Sequence, residues 1–356
     1  MRAGIVVSAH PGVEDLAVRA EELGLHSFWV NDTPMVHGDP FVALSLCAKA
    51  TSRIKLGIGV TSPGLRSAPA AASGLASLNA LAPGRIICGV GTGNTARRTL
   101  GMRPTTAARL ENFTAALQDL CAGLPTEYRE GDRGRDIRFL HNGAHVNTAD
   151  PIEFVVAALG PRAAAVAGRR GTGLISFGLL DPNAWHALHN ARRHAAQDTP
   201  RAPGSRSDSD SYVVTSLYML DEDEDPHSDA ARDATGHLAL SLLAFAADTA
   251  AERPSFAEQL SPEEREAVRR LLDRRDTTAT APDRHTKLYS NYLGRIAPRD
   301  RDLVLPSLMN SLALVGTRDD LLARIATLEQ AGIEELLIQP VIDPPTEMAQ
   351  LAKLLT

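Results

Sequence analysis

Eight short apolar runs, each followed by a stretch of helical periodicity, predict an α/β chain folded as a (β/α)8 TIM barrel. Two further observations support that class. The runs are apolar on both faces, as strands covered by helices are. The 356 residues suffice for one barrel with insertions, and eight units in one chain favour the closed form over a doubly wound sheet.

The runs are AGIVVS (3–8), SFWVND (27–32), IKLGIGV (54–60), RIICGVG (85–91), IEFVVAA (152–158), GLISFG (173–178), YVVTSLYML (212–220) and ELLIQPV (335–341). After the first, Val13, Leu16, Ala17, Ala20 and Leu23 recur at helical spacing, and Gly24 suits a C-terminal cap. Asp39-Pro40 sets an N-cap before proline at the first helical position. In the third run, Gly57 and Gly59 interrupt a strand pattern that Ser62-Pro63 ends. Glycine inside a strand marks a bulge or the close approach of another group. Leu110, Phe113, Leu117, Leu120 and Leu124 form a further helical stripe, and Thr317 with Asp320 opens the last long helix with a capping box. Residues 1–356 read as a single barrel domain with insertions at about 124–150, 199–211 and 221–316. The last insertion carries helical patterns near 228–252 and 261–275. It either folds over the barrel mouth or extends the outer layer.

A net charge of −6 argues against nucleic acid as a partner, and the acidic run Asp221–Asp225 reads as a solvated loop. Cys47, Cys88 and Cys121 share no metal-type spacing, which points to a reducing compartment. No apolar run approaches the roughly 20 residues of a membrane span. The first residues enter a strand directly, without a signal-peptide pattern. A soluble cytoplasmic protein is expected.

In a barrel of this kind the active site lies at the C-terminal strand ends. A Schiff-base aldolase needs a lysine there, but Lys55 opens the third run, at the wrong end. His10 has no HxH partner, so no metal site is expected. What remains is a mouth of glycine, serine, threonine and backbone, which suits a planar cofactor carrying a phosphate. Gly91-Thr92-Gly93 admits close approach, and Leu159-Gly160-Pro161-Arg162 opens a helix whose free N–H groups favour an anion. The stretch GVGTGN has GxGxG rather than GxGxxG spacing and sits on the fourth unit, against a Rossmann site.

Four co-linear stretches carry a resemblance over most of the chain: SFWVNDTP through SRIKLGIGVTSP, LAPGRIICGVGTGN, VVAALGPRAAAVAGRRGTGLI, and LALVGTRDDLLARIATLEQAGIEELLIQP. They resemble the bacterial luciferase-like superfamily, and within it the branch that uses coenzyme F420, a deazaflavin, as methylene-tetrahydromethanopterin reductases do. The resemblance implies a non-prolyl cis peptide at Gly59-Val60, in a bulge that presses on the deazaflavin face. It further implies that Asp32 contacts the ring and that Thr61, Ser62, Thr92, Gly93, Asn94 and Ser176 line the cofactor. Ala158, Leu159, Gly160, Pro161 and Arg162 would cradle its phosphate, and Arg97 would reach its tail.

The departures from the sugar-phosphate dehydrogenases of this branch are specific. Thr33 stands where they have histidine, Asn94 where they have glutamate, and Leu180 near a substrate-phosphate lysine. A sugar phosphate is therefore not expected. Asp32, His10 and Asn94 are the candidate catalytic residues, with His37 a further proton source. Tyr289, Tyr292 and His285 are placed to reach the pocket from the long insertion. The resemblance implies hydride transfer between F420 and an organic substrate, as in reduction of a C=C or C=N bond in a small-molecule or modified-peptide natural product. The alternative is an FMN-dependent monooxygenase using reduced flavin and oxygen. Thr92, where that branch often has arginine, favours the deazaflavin. A non-enzymatic relative is a third class. Family analogy implies a homodimer.

Overall fold

In the computed structural model, which describes residues 1–141, 144–197 and 210–355, eight parallel strands close into a barrel. The strands in chain order are β1 (Arg2–Val7), β2 (Ser27–Val30), β3 (Lys55–Thr61), β4 (Ile86–Val90), β5 (Thr126–Glu130), β6 (Arg133–Ile137), β7 (Glu153–Ala157), β8 (Gly173–Phe177), β9 (Ser211–Met219), β10 (Ala313–Gly316) and β11 (Glu335–Ile338). The barrel runs β1-β2-β3-β4-β7-β8-β9-β11 and returns to β1. These eight strands coincide with the eight expected runs.

Three strands were not expected. β10 pairs in parallel with the second half of β9, beyond the half that pairs with β11. Its four residues follow the helix Pro306–Leu312 directly, so no pattern break announces it. β5 and β6 form an antiparallel hairpin within 124–150, and their many charged residues hide its alternation. Most of the expected loop at 199–211 lies outside the described residues.

The long insertion contains the helices Asp229–Glu252 and Pro262–Arg274 near the expected patterns, with the capping box of Ser261 and Glu264 formed. The Thr317–Asp320 box is also formed, and the Asp39 carboxylate accepts from the N–H groups of Phe41 and Val42. The insertion has its own apolar core, including Leu238, Leu243, Leu271 and Leu303. It folds over the barrel mouth, where Leu242, Phe245, Tyr292 and Leu293 arrive. Among the described residues no helix is long and apolar enough to cross a membrane.

Side chains alternate along each barrel strand. Ile5, Val7, Phe28, Leu56 and Ile58 face the helices, while Val6, Trp29, Ile87, Tyr212 and Leu337 fill the interior. Trp29 packs edge-on against Tyr212, ring centroids 5.3 Å apart. Its indole passes so close to β3 that a Cβ on Gly57 would lie 2.1 Å from it. Trp29 therefore explains the first of the two strand glycines. At the opposite end from the mouth, the Trp29 Nε1–H donates to Ser27 Oγ at 2.7 Å, and the Ser27 hydroxyl donates to Glu335. Glu335 also meets His26 Nδ1 at 2.6 Å.

The turn before β3 is held by Glu21 from the first helix. Its carboxylate accepts from the N–H of Arg53 at 2.6 Å, Ile54 at 2.8 Å and Ser52 at 3.1 Å. Partial desolvation opposes ionisation, but the donors from Ile54, Arg53 and Ser52 prevail and hold its pKa down to about 2. Its stabilising effect is thus present above the ordinary value of 4.5 and disappears as pH falls through about 2. Glu21→Gln should be less stable than wild type near neutrality, and urea denaturation should show that deficit shrinking over this acid range. Gly57→Ala should lower stability by roughly 1–3 kcal/mol, because the indole must move. Urea denaturation measures this too, and an unchanged midpoint would contradict the tight approach.

Candidate active site

At the C-terminal ends of the strands lies a cavity of about 500 Å³. β3 forms its floor. The register between β3 and β4 shifts between Ile58 and Thr61, and the Gly59–Val60 peptide bond is cis. The Val60 side chain points into the mouth. Gly89 and Gly91 on β4 make room for it: a Cβ on Gly89 would lie 2.5 Å from Val60 Cγ1, and one on Gly91 3.0 Å from Cγ2. Gly93, at φ +75°, turns the chain into the short helix Asn94–Arg98. A Cβ there would lie 2.6 Å from Ser62 Oγ.

Two buried polar groups on the wall have no partner among the described residues, Asn31 Nδ2 at the end of β2 and Ser176 Oγ in β8. Asp32, 2% exposed, stands beside Asn31. Its Oδ2 lies 3.4 Å from Arg66 Nε, and Arg66 also donates to Asp39 at 2.6 Å while its guanidinium lies over Phe41. Burial pushes the Asp32 carboxyl above the usual carboxylate range, with the Thr61 hydroxyl and the Arg66 charge opposing that rise.

Of the residues singled out in the sequence, the fold brings Asp32, Gly59, Val60, Thr92, Gly93, Asn94, Ala158, Leu159 and Ser176 to the cavity lining. Gly160, Pro161 and Arg162 stand at its rim, where the helix Pro161–Arg170 begins beside the lining residues Leu159 and Ala163. Thr61 and Ser62 are buried behind the lining, and Ser62 Oγ accepts from the Gly64 N–H at 3.3 Å. Arg97 donates to the carbonyls of Arg103 at 2.6 Å and Gly64 at 3.1 Å, bracing the loops after β3 and β4 without lining the cavity. His10 is exposed, its Nδ1 beside its neighbour's carbonyl at 2.8 Å, and does not line the cavity. His37 lies 3.3 Å from the Ser8 hydroxyl, also off the lining. The Asn94 side-chain oxygen accepts from Arg98 Nε at 2.9 Å.

From the long insertion, Tyr292 reaches the lining and its hydroxyl lies 3.1 Å from Thr95 Oγ1. Tyr289 instead donates to Asp248 at 2.6 Å, and His285 packs against Gly101. Sequence reasoning missed Asn31 and Gln339 as wall residues, and Leu242, Phe245, Leu293 and Leu312 as the roof. Asn31 carried a signal, its place beside Asp32 at a strand end. The roof residues carried none, since apolar helix residues look the same in a core. Cys88 is fully buried, and desolvation raises its pKa well above the ordinary thiol range. Among the described residues no three His, Cys, Asp or Glu side chains are grouped to hold a metal ion.

The family model for luciferase-like monooxygenases matches residues 10–335. The chain belongs to that family. Among its relatives, the F420-dependent glucose-6-phosphate dehydrogenase of Kineococcus radiotolerans is 38% identical over 176 residues, 46% of this chain and 52% of the relative. The chain thus spans about half the length of that curated relative. The 5,10-methylenetetrahydromethanopterin reductase of Archaeoglobus fulgidus is 24% identical over 330 residues, 91% of this chain and 88% of the relative. The solved F420-dependent tetrahydromethanopterin reductase of Methanopyrus kandleri has a similar fold, with a TM-score of 0.65 at 20% identity, covering 99% of this chain and 97% of its own.

Arg66→Gln removes the cation that lowers the Asp32 pKa. Titration of the Asp32 carboxyl by ¹³C NMR should then give a value above that of the wild type, which itself lies above the ordinary 3.8. A downward shift would mean that Arg66 does not act on this carboxyl.

Proposed function

We propose that the protein is an F420-dependent oxidoreductase, transferring a hydride between the deazaflavin and an organic substrate. The substrate class proposed is a small-molecule or modified-peptide natural product with a C=C or C=N bond. One observation carries the reading. An apolar floor at Gly59-Val60 lies in one cavity lining with two residues that carry unpartnered buried polar groups, Asn31 Nδ2 and Ser176 Oγ, and the cavity opens toward a helix N-terminus. A buried polar group without a partner costs about 1–3 kcal/mol, so a wall with two of them fits a ligand that bonds both.

These residues fit a ring system carrying polar edges and a phosphate. Gly59 and Val60 would support the ring face, with Asn31, Asp32 and Ser176 at its polar edges. Thr92, Gly93 and Asn94 would flank it. Backbone N–H groups after Gly160, with the Arg162 guanidinium, would hold the phosphate, as helix N-termini do. When bound, the cofactor supplies or accepts the hydride. The chain's own part is to hold the ring, exclude water beneath the roof and present the substrate on the open face. Asp32, with its raised pKa, is the carboxyl at that wall able to keep a proton to higher pH than an exposed one. His10 and Asn94 remain the other proposed participants, the first only by movement of its loop.

Purified protein titrated in parallel with F420 and FMN, following quenching of each ligand's fluorescence, tests the reading. F420 should bind at least about tenfold tighter than FMN. Arg162→Ala, at an exposed position, should weaken F420 binding by about three- to tenfold and reduce its salt dependence. A preference for FMN would overturn the proposal and turn attention to oxygen-dependent chemistry. Binding of neither would remove it.

A further inference from the structure

The roof and outer wall of the cavity are formed by Phe177, Leu179, Leu242, Phe245, Leu293 and Leu312. Among the described residues no lysine, arginine or histidine lines the cavity, and Asp32 is its one acidic side chain. The buried guanidinium of Arg98 is already engaged. Arg98 donates to Asn94 at 2.9 Å and to Glu252 at 3.2 Å, lies 3.7 Å from Asp248, and stands over the Phe245 ring at 5.4 Å. Asp248 is held in turn by Arg284 at 3.0 Å and by the Tyr289 hydroxyl at 2.6 Å. Among the described residues this charge network holds the Arg98 and Arg284 guanidinium groups against carboxylates, and neither lines the cavity. Among the described residues, the polar groups on the roof side are the hydroxyl pair of Tyr292 and Thr95 and the Ser241 hydroxyl, which itself donates to the His237 carbonyl at 2.7 Å.

An anion moved from water into such a space would lose its hydration without gaining a counter-charge, at a large cost. An uncharged apolar molecule gains free energy from every buried carbon. We infer that the part of the cavity beneath the long insertion binds an uncharged, largely apolar substrate whose hydrogen-bond acceptor docks on the Tyr292–Thr95 hydroxyl pair. This deepens the oxidoreductase reading and rests on it for the identity of the ring that shares the cavity. A phosphorylated or carboxylated substrate is disfavoured. Phosphate recognition is confined to the rim, at Gly160–Arg162.

Three probes with one ring separate charge from shape: 2-acetylnaphthalene, 2-ethylnaphthalene and 2-naphthyl phosphate. Each is titrated calorimetrically into the F420-saturated protein and into the protein without cofactor. The ketone should bind at least about tenfold tighter than the phosphate. Leu242→Lys should close or reverse that ratio, and since a lysine there can disturb the roof, Tyr292→Phe serves as the milder variant. It should weaken the ketone by about three- to tenfold and leave 2-ethylnaphthalene unchanged. Equal or tighter binding of the phosphate, or no binding of the neutral probes, would overturn the inference. Failure of F420 itself to bind is read separately, from its own fluorescence. It would remove the cofactor reading while the order of the three probes still decides the charge preference.

Discussion

Val60 stands in the mouth of the barrel, and much of the surrounding sequence answers to its position. Gly89 and Gly91 lack side chains where the two Val60 methyl groups come. One layer below, Gly57 lacks one where the Trp29 indole passes, and one turn above, Gly93 lacks one beside Ser62. Each glycine is matched to a particular side chain from a neighbouring strand or loop. A close-packed interior tolerates no overlap, so these pairs are fixed together. The result is a barrel filled to the level of Trp29 and Tyr212 and topped by a narrow apolar floor.

Polar groups are buried at both ends of the barrel. At the closed end, Trp29, Ser27, Glu335 and His26 form a connected network. At the open end, Asn31 Nδ2 and Ser176 Oγ are buried without a partner among the described residues, as is Ser211 Oγ at the start of β9. Asp32 stands beside Asn31, its charge partly balanced by Arg66.

The long insertion completes the space. Its helices pack on a core of their own and lower apolar side chains onto the mouth. Arg98, bonded to Asn94 and to the carboxylates of Glu252 and Asp248, joins the loop after β4 to the helix Asp229–Glu252. The loop after β4 and the roof helix are thereby linked by one charge network that reaches the lining at Asn94.

The local pattern of residues determined the eight barrel strands, the capped helices at Asp39, Ser261 and Thr317, and the glycine-bearing strand ends. Those features depend on period-two and helical spacing and on backbone geometry, which neighbouring residues specify among themselves. Asp32, Val60, Thr92 and Ser176 could be placed at the mouth for the same reason, since the end of a strand is a local property. Only the tertiary structure set His10 outside the cavity, turned Arg97 to brace two loops, paired Arg66 with Asp32 and brought Leu242, Phe245 and Tyr292 over the site. Each of those outcomes depends on where a side chain points from a loop, or on contacts between residues far apart in the chain. No spacing along the sequence records either, because they follow from how the insertion and the barrel bury their apolar faces against each other.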